Sequence, residues 1–393
     1  MPRTVAIVGY CRTGIAKAVR GALNQTHGIA MLGHVLEQSV ARANIAKDEV
    51  EDVIVGCGLP EGATGHNIAR TSALFAGFPS TVPGVTVHRY CGSGVNAASI
   101  AANRIATGEA DVQIAAGVES ISLTQSHLNR NFFFYEPLQQ RMPEVWWTMN
   151  QTADYVARKY GISREAQDAY ALRSQQRVAA ALARGVYAEE IVPFQTQMSV
   201  TDKATGQSTR VDVLLDRDEG PRPDSTIEGL QKLKPVAPDG FVTAGNASQL
   251  SDGAAALVMM DADLASRRGL PILGLFRGMQ LAAVAPEEMS VAIAPAIRRL
   301  LSRHAVKHGD VDLWELHEAY AVTTLYNQRE LDTPWERTNV NGGAVPLGHP
   351  YGMSGIRYVG STCLELQRRK AKRAIIGVCT AGGMSTAALL ESV

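Results

Sequence analysis

The sequence predicts an α/β fold made of two copies of one unit, with a helical and loop-rich insertion laid over one side. Three observations predict it. Strand-like and helix-like patterns alternate towards both ends of the chain, which favours parallel or mixed sheets with helices on their faces. A shift of 261 residues lays several features of the first half onto the second. Between roughly Ile121 and Ala244 that correspondence stops.

Each copy opens with a strand, Val5 to Gly9 in the first and Ile272 to Phe276 in the second. An amphipathic helix follows, Ala30 to Asn44 and then Ala292 to Arg303. Next comes a strand, Val53 to Val55 and Leu313 to Leu316. A glycine-rich turn, a long helix of small residues and another strand complete each copy. Under the shift Arg42 falls on Arg303, and Glu49-Val50-Glu51 on Asp310-Val311-Asp312. Ser93-Gly94-Val95 falls on Ser354-Gly355-Ile356, and the segment 111–115 on 372–376. In the insertion, Asn150 to Arg184 reads as long Ala-rich helices with Ser163 as a cap. Phe132 to Tyr135 and Trp146-Trp147 are aromatic clusters, and Pro221, Pro223, Pro235 and Pro238 mark loop.

The chain has 393 residues, more than one core usually serves. Its 38 basic and 38 acidic residues cancel, which gives no electrostatic reason to expect nucleic acid or an anionic membrane as partner. Five cysteines, an odd number, do not read as a disulfide framework and fit reduced thiols in a cytoplasmic compartment. The start of the chain reads as a strand and not as a signal peptide, and no apolar run is long enough to span a membrane. The last residues, Glu391-Ser-Val393, are not a peroxisomal tripeptide.

Two cysteines and a histidine carry the chemistry. Cys91 lies in TVHRYCGSG, residues 86–94, where an apolar strand-like stretch enters small residues. Cys379 lies in IIGVCTAGG, residues 375–383, in a matching setting. A thiol at the start of a helix feels the positive pole, so Cys91 is expected to have a lowered pKa. Gly92, Ser93 and Gly94 leave room for a substrate, and free backbone N–H groups there suit an oxyanion. The plainer reading of such a cysteine is a small buried thiol in a core. His349, in GHPYGMSG at 348–355, is held extended by Pro350 and suits a general base; the plainer reading is a surface turn histidine. His317, in HEAY at 317–320, follows a strand end that faces a cleft or simply packs the core. Cys11, Cys57 and Cys363 read as structural. No His and Cys spacing resembles a zinc site, so no metal is expected.

These motifs together resemble the thiolase family nearly end to end. The segment 86–94 resembles the family's nucleophile segment and 110–120 its following strand and turn. Residues 162–168 and 190–194 resemble its loop domain, and TAGNASQLSDGAAA at 243–256 is a specific match. The resemblance implies a thiolase fold of two duplicated five-layered α/β halves (α-β-α-β-α) with an inserted loop domain. It implies a first half at 1–120 plus about 245–268, a loop domain at 121–244 and a second half at 269–393. It further implies that Cys91 attacks a 3-oxoacyl-CoA with His349 as its base, and that Cys379 protonates the departing acetyl-CoA enolate. The backbone N–H groups of Cys91 and Ala381 would form one oxyanion site, and His349 with His317 the other. Ser248 matches a residue on the pantetheine arm, Arg222 a basic position near the nucleotide, and Met149 a substrate contact.

Where many members carry NEAF and CxGGG, this chain carries HEAY and CTAGG, as in the thiolase subunits of β-oxidation complexes. Thr148 stands where the biosynthetic acetoacetyl-CoA enzymes carry a histidine. The aromatics at 132–147 either line a pocket for a bulky acyl tail or pack the loop domain or a subunit contact. The resemblance thus implies a degradative 3-oxoacyl-CoA thiolase, an acyltransferase of lipid metabolism. It has no permanently bound cofactor, and coenzyme A is co-substrate. A homodimer or dimer of dimers is expected, with room for a β-oxidation partner subunit. The alternatives are a biosynthetic acetyl-CoA acetyltransferase and a non-catalytic acyl-CoA or lipid-binding protein on the same scaffold. A ketoacyl synthase, with one cysteine and two histidines, would not need Cys379.

Overall fold

The computed structural model describes residues 2–393. Twelve strands lie among them: β1 (Val5–Arg12), β2 (Ala16–Lys17), β3 (Val53–Cys57), β4 (Gly84–Val87), β5 (Val112–Glu119), β6 (Phe194–Thr201), β7 (Ser208–Leu215), β8 (Ser251–Asp261), β9 (Gly274–Ala283), β10 (Leu313–Leu316), β11 (Arg373–Thr380) and β12 (Met384–Glu391). Nine of them run in the order β10-β11-β12-β9-β1-β8-β5-β3-β4, with β2 added to β8. The order is a repeat. In the first half β3-β5-β8-β1 pair parallel, antiparallel and antiparallel. In the second half β10-β11-β12-β9 do the same. The two sets meet where β1 pairs antiparallel with β9. The shift of 261 carries β5 onto β11 residue for residue.

Alternation along β1 shows how the layers form. Ala6 and Val8 pack in the core under the Gly28–Ala43 helix, whereas Val5 and Ile7 face the opposite core. That second core holds the helices Ser93–Thr107 and Tyr351–Arg369. The Ile293–His304 helix covers the outer face of the second half. The five layers are therefore shared by the two halves, with one helix from each half in the middle. These two central helices meet at glycines. A Cβ on Gly355 would lie 2.4 Å from the backbone nitrogen of Val95, and one on Gly94 would lie 2.7 Å from the carbonyl oxygen of Gly352. Because Gly94 and Gly355 are related by the same shift, the crossing is the pivot of the duplication. It brings the N-terminal ends of both helices to one place.

The segment between β5 and β8 holds the helices Met149–Lys159 and Arg164–Ala183, the latter capped by Ser163, whose side chain accepts from the Ala166 N–H. It also holds the hairpin β6–β7, between the helices and the prolines that mark loop, which the sequence reading did not assign. The signal was present as period-two alternation at Met198 and Val200 and at Val211 and Val213, around a turn containing Gly206. Arg12 of β1 ties the segment down. It is fully buried, with Nε donating to Glu190 Oε2 at 2.7 Å and both Nη groups donating to Asp218 at 2.6 and 2.9 Å. Removing one partner of such a buried set costs about 3–5 kcal/mol.

Candidate active site

Cys91 sits on a short turn, Tyr90–Gly92, directly before the Ser93–Thr107 helix. Tyr90 holds a left-handed backbone with φ of 44°. Ser93 stabilises the turn: its hydroxyl donates to the Tyr90 carbonyl at 2.6 Å and accepts from the Arg89 N–H at 2.8 Å. The expectation of a lowered thiol pKa is not met. Burial pushes Cys91 up to about 12, with the charge of Glu119 next in importance. Backbone N–H groups of Cys91 and Ala381 are directed at the sulfur and oppose the rise, but desolvation wins. Cys91 therefore rests as a protonated thiol.

His349 is held as a neutral ring in a fixed orientation. Gly348 before it has φ of 106°, and a Cβ there would lie 2.2 Å from Ser251 Oγ, so only glycine fits. The His349 N–H donates to the Gln249 carbonyl at 2.9 Å. The ring is 4% exposed, which excludes the reading as a surface turn histidine. Its Nδ1 lies 2.7 Å from Ser354 Oγ, and that hydroxyl already donates to the Pro350 carbonyl at 2.9 Å. Ser354 can then only accept from Nδ1, so the proton sits on Nδ1 and Nε2 keeps a lone pair with no protein partner. Burial, and then the Arg357 charge, push the imidazole down to about 3.

Cys379 is the last residue but one of β11, fully buried, with its thiol held well above the ordinary value by burial and then by Cys91. Such a thiol stays protonated. Cys91, His349, Cys379 and Ala381 together line one cavity of about 180 Å³, with Leu59, Tyr90, Met149, Ser248, Leu250, Met289, Ala319, Tyr320 and Tyr351 completing its wall. A larger cleft of about 680 Å³ shares Met149, Ser248, Tyr320 and Tyr351 with it and reaches out to Arg222. The strip 246–250 separates the two. It is pinned by the Ser248 N–H donating to Ala319 at 3.0 Å and the Ala321 N–H donating to Asn246 at 2.8 Å.

His317 stands elsewhere than a direct donor would. It is fully buried, its ring is 4.2 Å from that of His349, and it does not line the cavity. Both of its ring nitrogens lack a protein partner, and burial, then His349, hold its pKa low. Glu318 beside it is a structural acceptor for Tyr170 at 2.5 Å, Ser174 at 2.9 Å and the Val345 N–H at 3.0 Å.

Three residues of the site were missed by the sequence reading. Ser354 fixes the His349 tautomer, Tyr351 lines both cavities, and Glu119 accepts from the N–H groups of Gly58, Leu59 and Gly352 at 2.8, 3.1 and 2.8 Å. The signal for two of them lay in the repeat: the shift that pairs Ser93 with Ser354 also pairs His88 with His349 and Tyr90 with Tyr351. The aromatics at 132–147 line neither cavity. Phe133, Phe134 and Trp146 pack edge to face on one another, with ring centroids 5.0 to 5.2 Å apart, and Phe132 is fully exposed. Among the described residues no group of three or more His, Cys, Asp or Glu is arranged for a metal ion, and no helix is long and apolar enough to cross a membrane.

Residues 5–263 match the family described as "Thiolase, N-terminal domain", and residues 270–392 match "Thiolase, C-terminal domain". The chain belongs to the thiolase family. It is therefore an enzyme, an acyltransferase, and thiolases use coenzyme A as a substrate. It is 38% identical to the 3-ketoacyl-CoA thiolase of Bacillus subtilis (strain 168), over 99% of both chains. It is 40% identical to the β-ketoadipyl-CoA thiolase of Pseudomonas putida, over 88% of both. Its fold superposes on the crystal structure of the Bacillus anthracis acetyl-CoA acetyltransferase with a TM-score of 0.88 at 36% identity, covering 100% of this chain and 99% of that one.

Proposed function

We propose that this thiolase works in the degradative direction, cleaving a 3-oxoacyl-CoA with coenzyme A to acetyl-CoA and a shortened acyl-CoA. The observation that carries the chemistry is one small cavity lined by a thiol, an imidazole with a free lone pair, and a second thiol that stays protonated. His349 Nε2 takes the Cys91 proton as the sulfur adds to the C3 carbonyl carbon. The oxyanion that forms is met by N–H groups, those of Cys91 and Ala381 at one site and the protonated His349 at the other, with His317 supporting His349 from behind. The C2–C3 bond then breaks, its electron pair leaving as the acetyl-CoA enolate, and Cys379 gives that carbanion its proton. Coenzyme A gives its thiol proton to the Cys379 thiolate as its sulfur adds to the Cys91 thioester; the C–S bond to Cys91 breaks, Cys91 takes its proton back from His349, and the shortened acyl-CoA leaves. Ser248 and Met149 hold the pantetheine arm between cavity and cleft, and Arg222 meets the nucleotide phosphates at the outer end.

The acyl class follows from the wall of the cavity. Leu59, Leu250, Met149 and Met289 are apolar, and no lysine or arginine lines it. That favours a neutral acyl chain over a dicarboxylic one, whose buried carboxylate would lack a cation. The two-half division with an inserted segment at 121–244 fits the repeated strand order. A homodimer in the cytoplasm completes the reading; the outer edge of β4, with exposed Val85, offers a strand for pairing, and all five cysteines are free.

The test is CoA-dependent cleavage of a panel running from acetoacetyl-CoA to long-chain, ring-bearing and dicarboxylic 3-oxoacyl thioesters. Faster cleavage of the longer neutral substrates is expected. Turnover of acetoacetyl-CoA alone would support the biosynthetic acetyl-CoA acetyltransferase reading instead.

A further inference from the structure

Arg357 lies on the Tyr351–Arg369 helix, is only 2% exposed, and has no hydrogen-bond partner at Nε or Nη2. A buried guanidinium in that state is expensive, and the fold places it at a particular spot. Its centre is 4.3 Å from the ring of Tyr358, Tyr358 is 5.7 Å from the ring of His317, and His317 is 4.2 Å from His349. A packed column thus runs from the cation to the base. On its other side Arg357 lines a small cavity of about 30 Å³ with Glu190, Glu315 and Glu365. That space suits about two water molecules, which would accept from Nε and Nη2 and hydrogen-bond to the glutamate side chains.

We propose that Arg357 is a positioning residue, a fixed and water-supported cation behind the His317–His349 pair that keeps both rings neutral and Nε2 of His349 free to receive the Cys91 proton. This rests on the reading of His349 as the base. The groups facing the pair leave Arg357 as the charge both rings share. Cys91, Cys379 and Tyr320 across the cavity, and Tyr351 and Tyr358 on the same helix, are all pushed up by burial and stay uncharged. Glu315, beyond Arg357, is pushed up to about 8 by burial. Glu318, next to His317 in the chain, is engaged by Tyr170, Ser174, Asn339 and Val345. Both imidazoles are held low by burial, and Arg357 adds to that in each. A like charge acting through a dry interior disfavours the imidazolium.

The experiment is a pH titration of the histidine ring nitrogens by NMR with ¹⁵N-histidine, alongside the pH profile of kcat/KM for thiolysis. It compares the whole wild-type chain with Arg357→Met and Arg357→Lys. In the Met variant the two rings should begin to charge at least one pH unit higher, and the acid limb of kcat/KM should follow with KM unchanged. The Lys variant should titrate as wild type. A folded Met variant, with unchanged circular dichroism and thermal midpoint, whose rings titrate as wild type would overturn the proposal. If Met does not fold, Arg357→Gln replaces it. If neither neutral variant folds, Arg357 is required by the fold itself and the proposal is overturned in that way. His349→Asn separates the two readings: if it turns over as fast as wild type, His349 is not the base, whatever the titration gives.

Discussion

The turn at His88–Gly94 and the turn at His349–Gly355 are two copies of one device, and they do opposite work. Each has a histidine, a tyrosine two residues on, and a serine and glycine entering a central helix. In each the serine hydroxyl donates back into its own turn, Ser93 to Tyr90 and Ser354 to Pro350. The first turn carries a thiol where the second carries Gly352. No side chain fits there, because a Cβ on Gly352 would lie 2.4 Å from the Gly56 carbonyl oxygen. The histidines also part company. His88 is exposed, with Nδ1 near the Cys57 carbonyl at 3.2 Å, whereas His349 is roofed by the strip at 246–250 and backed by His317. Duplication supplied the frame, and the unequal cover over it left one turn with a thiol and the other with a buried, neutral imidazole.

The comparison can be broken by substitution at matched positions. The largest effect is expected at Cys91: Cys91→Ala should lower CoA-dependent cleavage by at least about 10⁴-fold, since an essential nucleophile has no substitute. His349→Asn should cost about 10²–10⁴-fold in kcat, whereas His88→Asn should stay within about threefold. Equal losses at the two histidines in steady-state assays would destroy the asymmetry argued above. Cys379→Ala belongs in the same range of about 10²–10⁴-fold, with a difference in kind. Rapid-quench mass spectrometry should still find an acyl group on Cys91 of that variant when it is offered an acyl-CoA, while exchange and cleavage are lost.

The pivot itself is open to a stability test. Gly355→Ala, whose Cβ meets the Val95 backbone, should cost about 1–3 kcal/mol in urea unfolding. Gly309→Ala, where nothing lies within 4 Å, should change it by less than about 0.5 kcal/mol. A costless Gly355 variant would mean the helices do not cross there. Ser354→Ala should lower kcat by about tenfold with KM unchanged, because Nδ1 loses the acceptor that fixes its tautomer. Ser93→Ala should instead lose about 1 kcal/mol of stability.

The smallest effect is a pH dependence. Burial raises the Glu119 carboxyl to about 7 from an ordinary 4.5, so between those values the folded chain binds more protons than the unfolded one. Its contribution is fully present below about pH 4.5 and is lost as pH rises through about 7. Glu119→Gln should flatten that part of the stability profile, as read by denaturant midpoints at several pH values. An unchanged slope would show that Glu119 is charged throughout.

Much of this was readable from residues. The positions of Cys91, His349 and Cys379 followed from small-residue turns after strand-like runs, and the duplication followed from one shift. Element ends moved by a few residues: the strand expected at 272–276 runs as β9 from Gly274 to Ala283, because pairing with β12 extends it. The thiol state of Cys91 was misjudged because helix position is local and desolvation is not. The aromatics at 132–147 offered two readings, a pocket wall or packing, and the fold turns them outward from both cavities.

By itself the sequence determined the α/β class, the repeat, the family and the residue types available for thioester chemistry, since these rest on periodicity, spacing and short motifs. Only the tertiary structure decided the protonation of the resting thiol, the free nitrogen of His349, the place of His317 behind it and the cation behind both. Those depend on burial and on neighbours hundreds of residues away in the chain, and low dielectric acts through space with no regard for sequence order.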